Sequence, residues 1–146
     1  MTPVPNTPRH EVDVATVGET ARTAAQRMQQ RRVGCVVVVD REDRPIGILT
    51  DRDLALRVVA PGLNPLDVLV GDIMTRSPTT APEDATPDRQ LSIMKAARIR
   101  RLPLVDRNGR LRGVVALDDV LALEAHRMGS VADLLWQTSP QSLLKD

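Results

Sequence analysis

The chain repeats itself, and nothing else in its sequence limits the possible folds so sharply. Laid against itself at an offset of 66 residues, with no gap, residues 12–60 and 78–126 share ten identities in 49 positions. They are Ala15/Ala81, Thr20/Thr86, Met28/Met94, Arg32/Arg98, Val39/Val105, Asp40/Asp106, Arg41/Arg107, Arg44/Arg110, Gly47/Gly113 and Asp53/Asp119. Chance would give about three, so two copies of one supersecondary unit are the better account. Apolar character persists where identity fails, as at Ile48/Val114, Leu49/Val115 and Leu54/Val120.

Within each copy the pattern predicts strand, helix, strand, strand, helix. Residues 11–17 alternate around Val12 and Val14 as a short strand, and residues 19–32 place Ala21, Ala24, Ala25 and Met28 at helical spacing, with Thr20 and Thr23 at the start and the Gly34 break at the end. Residues 35–39 are β-branched enough for a buried strand, 45–49 form its hairpin partner, and 51–59 a second helix. The run Pro61-Gly62-Leu63-Asn64-Pro65 breaks the chain, and 66–74 read as a short connecting helix. The second copy predicts a helix over 87–97, strands over 102–105 and 111–115 joined by an Asn108-Gly109 turn, and a helix over 117–128. A flexible arm over 1–8, a first repeat over 9–62, a connecting segment over 63–73, a second repeat over 74–136 closed by a short helix at 130–136, and a frayed tail over 137–146 complete the expected layout.

Composition narrows the function classes. Hydrophobic residues are 42% of the 146, enough for a core, but with Trp136 and no Phe or Tyr that core is aliphatic and lacks the stacking platforms of single-strand nucleic-acid binders. A net charge of +1 gives no drive toward nucleic acid or an anionic membrane. All basic residues but Lys95 and Lys145 are arginine, the side chain suited to bidentate phosphate contacts. Cys35 stands alone in an apolar run and is expected as a buried small hydrophobe. No apolar stretch reaches the roughly 18 residues of a membrane span, and residues 1–10 lack a signal-peptide core, so a soluble cytoplasmic protein is expected.

Three motifs, in order on the 66-residue period, carry a family resemblance: Gly47-Ile48-Leu49-Thr50-Asp51-Arg52-Asp53-Leu54, Gly71-Asp72-Ile73-Met74-Thr75, and Arg100-Arg101-Leu102-Pro103-Leu104-Val105-Asp106. Over about residues 9–136 the chain resembles a tandem CBS-domain pair, or Bateman module. The resemblance implies an α/β fold of two β-α-β-β-α CBS repeats packed with pseudo-twofold symmetry. It also implies clefts between them that take adenosine-containing ligands, and dimers formed through the helices. In the family the carboxylate at the position of Asp53 bonds ribose hydroxyls and the hydroxyl at the position of Thr50 meets a phosphate. Ile48 belongs to the same site, Asp119 is its echo, and positions matching Arg100 and Arg101 approach phosphates across the cleft. The ligand would be AMP, ADP, ATP or S-adenosylmethionine, with no cofactor required.

Each of these residues also has a purely structural reading. Thr50-x-x-Asp53 before an apolar run is a capping box, with Thr50 capping the helix and Asp53 reaching back to its backbone. In the second copy the hydroxyl is lost to Ala116 while Asp119 remains and Asp118 stands ready as a substitute cap; a phosphate contact there lacks its hydroxyl. The arginines preceding the buried strands, Arg31, Arg32, Arg98, Arg100 and Arg101, equally suit helix C-termini. The first repeat lacks the proline of Leu102-Pro103-Leu104. His10 and His126 belong to no metal-ligand spacing or nucleophile, base and orienter set, and Gly47 and Gly113 form no Gly-rich phosphate loop, so catalysis is not expected. What is expected is a regulatory, ligand-sensing homodimer acting in trans on an unknown protein partner, without membrane or nucleic acid; the alternative is a dimeric scaffold that has lost its ligand.

Overall fold

The computed structural model describes residues 13–127, which form two compact units, one of residues 13–78 with 109–111 and the other of 79–108 with 112–127. The expected arm, closing helix and tail, together with His10 and Trp136 and the side chain of His126, lie outside the described residues.

The first unit runs β1 (Val14–Ala15), α1 (Ala21–Arg31), β2 (Cys35–Val39), β3 (Pro45–Thr50), α2 (Asp51–Leu54), a π-helical turn (Ala55–Val59), α3 (Val70–Ile73) and β4 (Thr75–Arg76). The sheet order is β1-β2-β3-β4, with β1 parallel to β2 and the other pairs antiparallel. Fully buried Val36, Val38 and Leu49 meet Ala21, Ala24 and Met28 of α1, so the methionine packs within its own repeat. At Gly47 the neighbouring chain comes too close for a side chain: a Cβ there would strike the Met74 sulfur and lie 3.2 Å from the Thr75 carbonyl oxygen.

The second unit repeats the plan with β5 (Ala81–Pro82), α4 (Pro87–Ala97), β6 (Arg101–Val105), β7 (Leu111–Ala116) and α5 (Leu117–Arg127), in sheet order β5-β6-β7 with β5 parallel to β6. Its core joins Ala81, Met94, Leu102, Leu104, Val115 and Val120. The duplicated identities now have physical causes. Thr20 and Thr86 cap α1 and α4 by accepting from the amides of Thr23 and Arg89. Asp40 and Asp106 brace the two hairpins through their Oδ1 atoms, which accept from the amides of Glu42 and Arg44 in one and Asn108 in the other.

Four expectations need correction. Gly34 does not end α1. Arg32 does, in the left-handed region at φ 55°, with its amide and that of Val33 donating to the Met28 carbonyl; Arg98 ends α4 the same way at φ 55°. The helix over 51–59 is α-helical for four residues only and then widens to π, the Ala60 amide donating to the Ala55 carbonyl five residues back at 2.9 Å. The connecting helix shrinks to Val70–Ile73, since Asn64 folds residues 64–67 into a turn by accepting from the amides of Leu66 and Asp67. Cys35, at the edge of β2, is half-buried rather than buried.

Candidate functional site

β3 delivers Thr50 to the start of α2, and the backbone of Asp51 is fixed there by its amide, which donates to the Gly34 carbonyl at 3.0 Å. Thr50 Oγ1 accepts from the Asp53 amide at 3.1 Å, and Asp53 Oδ2 accepts from the Thr50 amide at 3.0 Å. The capping box is therefore formed. The second oxygen of Asp53, Oδ1, lies 3.4 Å from Arg57 Nη2, and the Asp53 side chain is 16% exposed. Arg57 reaches further: its Nη1 donates to the Ile73 carbonyl at 2.6 Å and its Nη2 to Thr75 Oγ1 at 3.2 Å. Ile48 sits half-buried in mid-strand, paired with Val37 on one side and Thr75 on the other. A carboxylate has about four acceptor sites, and these contacts leave Asp53 capacity for further donors such as a vicinal diol.

The second unit sets the same frame with different side chains. The Leu117 amide donates to the Arg100 carbonyl at 2.8 Å, matching Asp51 and Gly34 one repeat earlier. Where the first repeat has Gly34 and Arg52, the second has Arg100 and Asp118, and these two form an ion pair at 3.2 Å. Asp118 Oδ2 is buried without a hydrogen-bond partner among the described residues. Ala116, buried at the position of Thr50, brings no hydroxyl. Asp119 is half-buried in the first turn of α5, and Arg101 half-buried at the first residue of β6.

Of the six residues expected in a site, the structure thus brings Thr50 and Asp53 together by direct bonds and places Ile48 two residues before them on the same strand. In the other unit Arg100 engages Asp118 rather than a helix C-terminus. One participant, Arg57, escaped the sequence reading and was signalled only by its i,i+4 spacing from Asp53. Asp118, expected only as a substitute cap, pairs instead with Arg100, which replaces Gly34 opposite it. A cavity of about 420 Å³ lies elsewhere, at the C-terminal ends of β5 and β6, lined by residues 80–84 and 105–107 and by none of the six. Among the described residues no cluster suits a metal ion, and no helix is long and apolar enough to cross a membrane.

Comparison with known proteins bears on the same positions. The model of the CBS domain matches residues 5–60 and again 70–126. The CBS domain-containing protein YhcV of Bacillus subtilis is 35% identical over 147 residues, covering 98% of this chain and 99% of that one. A protein of Methanopyrus kandleri is 38% identical over 125 residues, 86% of this chain; the chain spans 64% of that relative's length. Among solved structures, the CBS-domain containing protein of Agrobacterium tumefaciens superposes with a TM-score of 0.69 at 30% identity, over 80% of this chain and 90% of that one. The two matched segments each contain one half of the 66-residue repeat, and the chain belongs to the CBS-domain family as a tandem pair.

Proposed function

We propose that the protein is a non-catalytic regulatory CBS pair that senses an adenosine-containing ligand at the Thr50/Asp53 end of its first repeat and signals to a protein partner in trans. The observation that carries the reading is the Asp53 carboxylate. It is largely buried, locked in orientation by the Thr50 amide, and yet holds its remaining oxygen only by a 3.4 Å contact to Arg57. A charge-assisted hydrogen bond of full strength is about 2.7–2.9 Å, so ribose hydroxyls can compete for that oxygen at small cost. The Thr50 hydroxyl, and the guanidinium groups of Arg100 and Arg101, are the groups offered to phosphate, and Asp119 the weaker echo of Asp53. The reading includes a homodimer formed through helices, supported by the exposed apolar side chains Leu56 and Val59 in the first repeat and Leu121 in the second. It also places the protein in the cytoplasm.

A second reading, a dimeric scaffold without ligand, is favoured by the completed capping box, which already gives Thr50 and Asp53 a structural purpose. A thermal-shift panel of AMP, ADP, ATP, NAD and S-adenosylmethionine separates the two. A ligand that binds only the folded state adds about 2.7 kcal/mol at a hundredfold excess over Kd, so a binder raises Tm by several degrees. A rise with at least one adenosyl compound supports sensing, and no rise with any of the five favours the scaffold.

A further inference from the structure

The segment joining the two repeats is held at both of its ends. At the near end it is held by backbone: the amides of Ala21 and Arg22 donate to the carbonyls of Val68 and Pro65, and those of Val70 and Gly71 to the carbonyls of Glu19 and Val17. At the far end, where α3 gives way to β4, the side-chain hold comes from Arg57, through the Ile73 carbonyl and the Thr75 hydroxyl. Arg57 is thus shared between Asp53, at 3.4 Å, and the connector, at 2.6 and 3.2 Å. It projects from the π-helical turn Ala55–Val59 that immediately follows Asp53 and its short α2. Such turns add a residue to the helical repeat and re-aim the side chains around them. The second repeat has Leu123 at the position of Arg57, within a continuous α-helix.

We propose that Arg57 is a positioning residue that reports the state of Asp53 to the connector. With Asp53 free of ligand, its negative charge holds the guanidinium beside Ile73 and Thr75. When hydroxyls of a ligand take the Asp53 oxygen that Arg57 contacts, the guanidinium loses its direct contact with the carboxylate and its hold on the Ile73 carbonyl and Thr75 hydroxyl weakens, loosening the connector where α3 gives way to β4. The inference rests on the ligand reading given above, and deepens it by naming how occupancy at Asp53 would be transmitted. A contact of 3.4 Å is the weakest of the three made by Arg57, which makes it the one that a ligand displaces first.

Hydrogen–deuterium exchange on the whole chain tests it in two arms. Without ligand, Asp53→Asn keeps an acceptor for the Thr50 amide but removes the charge, and Arg57→Ala removes the relay. Each is expected to speed exchange of the amides over residues 70–78 about two- to fivefold, the size set by loss of one partly exposed ion pair, with the double variant no faster than the faster single one. Arg52→Ala, at the exposed residue immediately before Asp53, leaves that exchange unchanged. Unaltered exchange in Asp53→Asn, or additive effects in the double variant, would overturn the relay. With AMP or ATP at millimolar concentration, exchange over 70–78 rises in the natural protein and shows no further rise in Arg57→Ala, which still binds. Slower exchange at 70–78 on binding would overturn the direction proposed. Failure of every nucleotide to bind would remove the sensing role, while the ligand-free arm would still show whether Arg57 couples Asp53 to the connector.

Discussion

One carbonyl is satisfied in two ways in the two repeats. In the first, the Glu19 carbonyl accepts from the backbone amide of Val70, so the chain that leaves the repeat also seals the start of α1. In the second, the equivalent Ala85 carbonyl accepts from the side-chain nitrogen of Gln90 at 3.1 Å. Gln90 is 1% exposed and stands where the first repeat has Ala24. A glutamine would be a poor choice for an aliphatic core unless it completed a buried acceptor, and here it does what a passing strand of backbone does one repeat earlier. Its Oε1 finds no partner among the described residues, a residual cost of that substitution. Duplicated folds can therefore keep a backbone while exchanging the groups that satisfy it, and position-by-position identity understates the equivalence.

The largest test of this comparison is Gln90→Ala, which makes the second core resemble the first without supplying the amide. It strands the Ala85 carbonyl and opens a cavity, so a loss of about 2–4 kcal/mol is expected by urea denaturation. A loss below that of an ordinary surface change would mean that the side-chain nitrogen contributes nothing. A smaller and opposite effect tests where the repeats agree. Arg32→Gly and Arg98→Gly relieve a left-handed residue at the same helix end, and each should stabilise by about 0.5–1 kcal/mol. If only one of the pair responds, the two helix ends are not equivalent.

The smallest concerns a pair that only the first repeat has. Arg27 grips Glu19 with two bonds of 2.8 and 2.9 Å and also donates to the Val14 carbonyl at 2.7 Å, whereas the second repeat has Ile93 and Ala85 at those positions. The hydrogen bonds from Arg27, reinforced by its charge and opposed by burial, hold the Glu19 carboxyl below its ordinary value of 4.5. A carboxylate lowered on folding adds stability that is present above pH 4.5 and disappears as pH falls through the lowered value. Glu19→Gln should thus cost about 0.3–1 kcal/mol at pH 7 and progressively less in acid, read from denaturation at several pH values. A cost independent of pH would contradict the ion pair.

The repeat made most of the fold legible, because a 66-residue offset that aligns Thr20 with Thr86 and Asp40 with Asp106 superimposes two helix caps and two hairpin braces at once. Local patterns set β2, β3, β6 and β7 to within a residue, while β1 is shorter than the expected 11–17 and the two-residue strands β4 and β5 carried no local pattern of their own. What the sequence hid were contacts that depend on where chain segments meet. Arg32 accepts a left-handed conformation because the Met28 carbonyl rewards it, the connector becomes a turn because Asn64 competes for its amides, and Gln90 reads as a surface residue until the Ala85 carbonyl is seen beside it. At the candidate site Thr50 and Asp53 were legible as a pair, with capping and ligand binding both open; the capping bonds are now seen, and Arg57 joins them from four residues on.

The central claim is that the carboxylate of the first repeat's last helix holds an adenosyl ligand. Isothermal titration of AMP and ATP into the natural protein and into Asp53→Ala and Asp119→Ala tests it most directly. The account predicts saturable binding that is lost in Asp53→Ala and weakened less in Asp119→Ala. Binding of undiminished affinity in Asp53→Ala would contradict it.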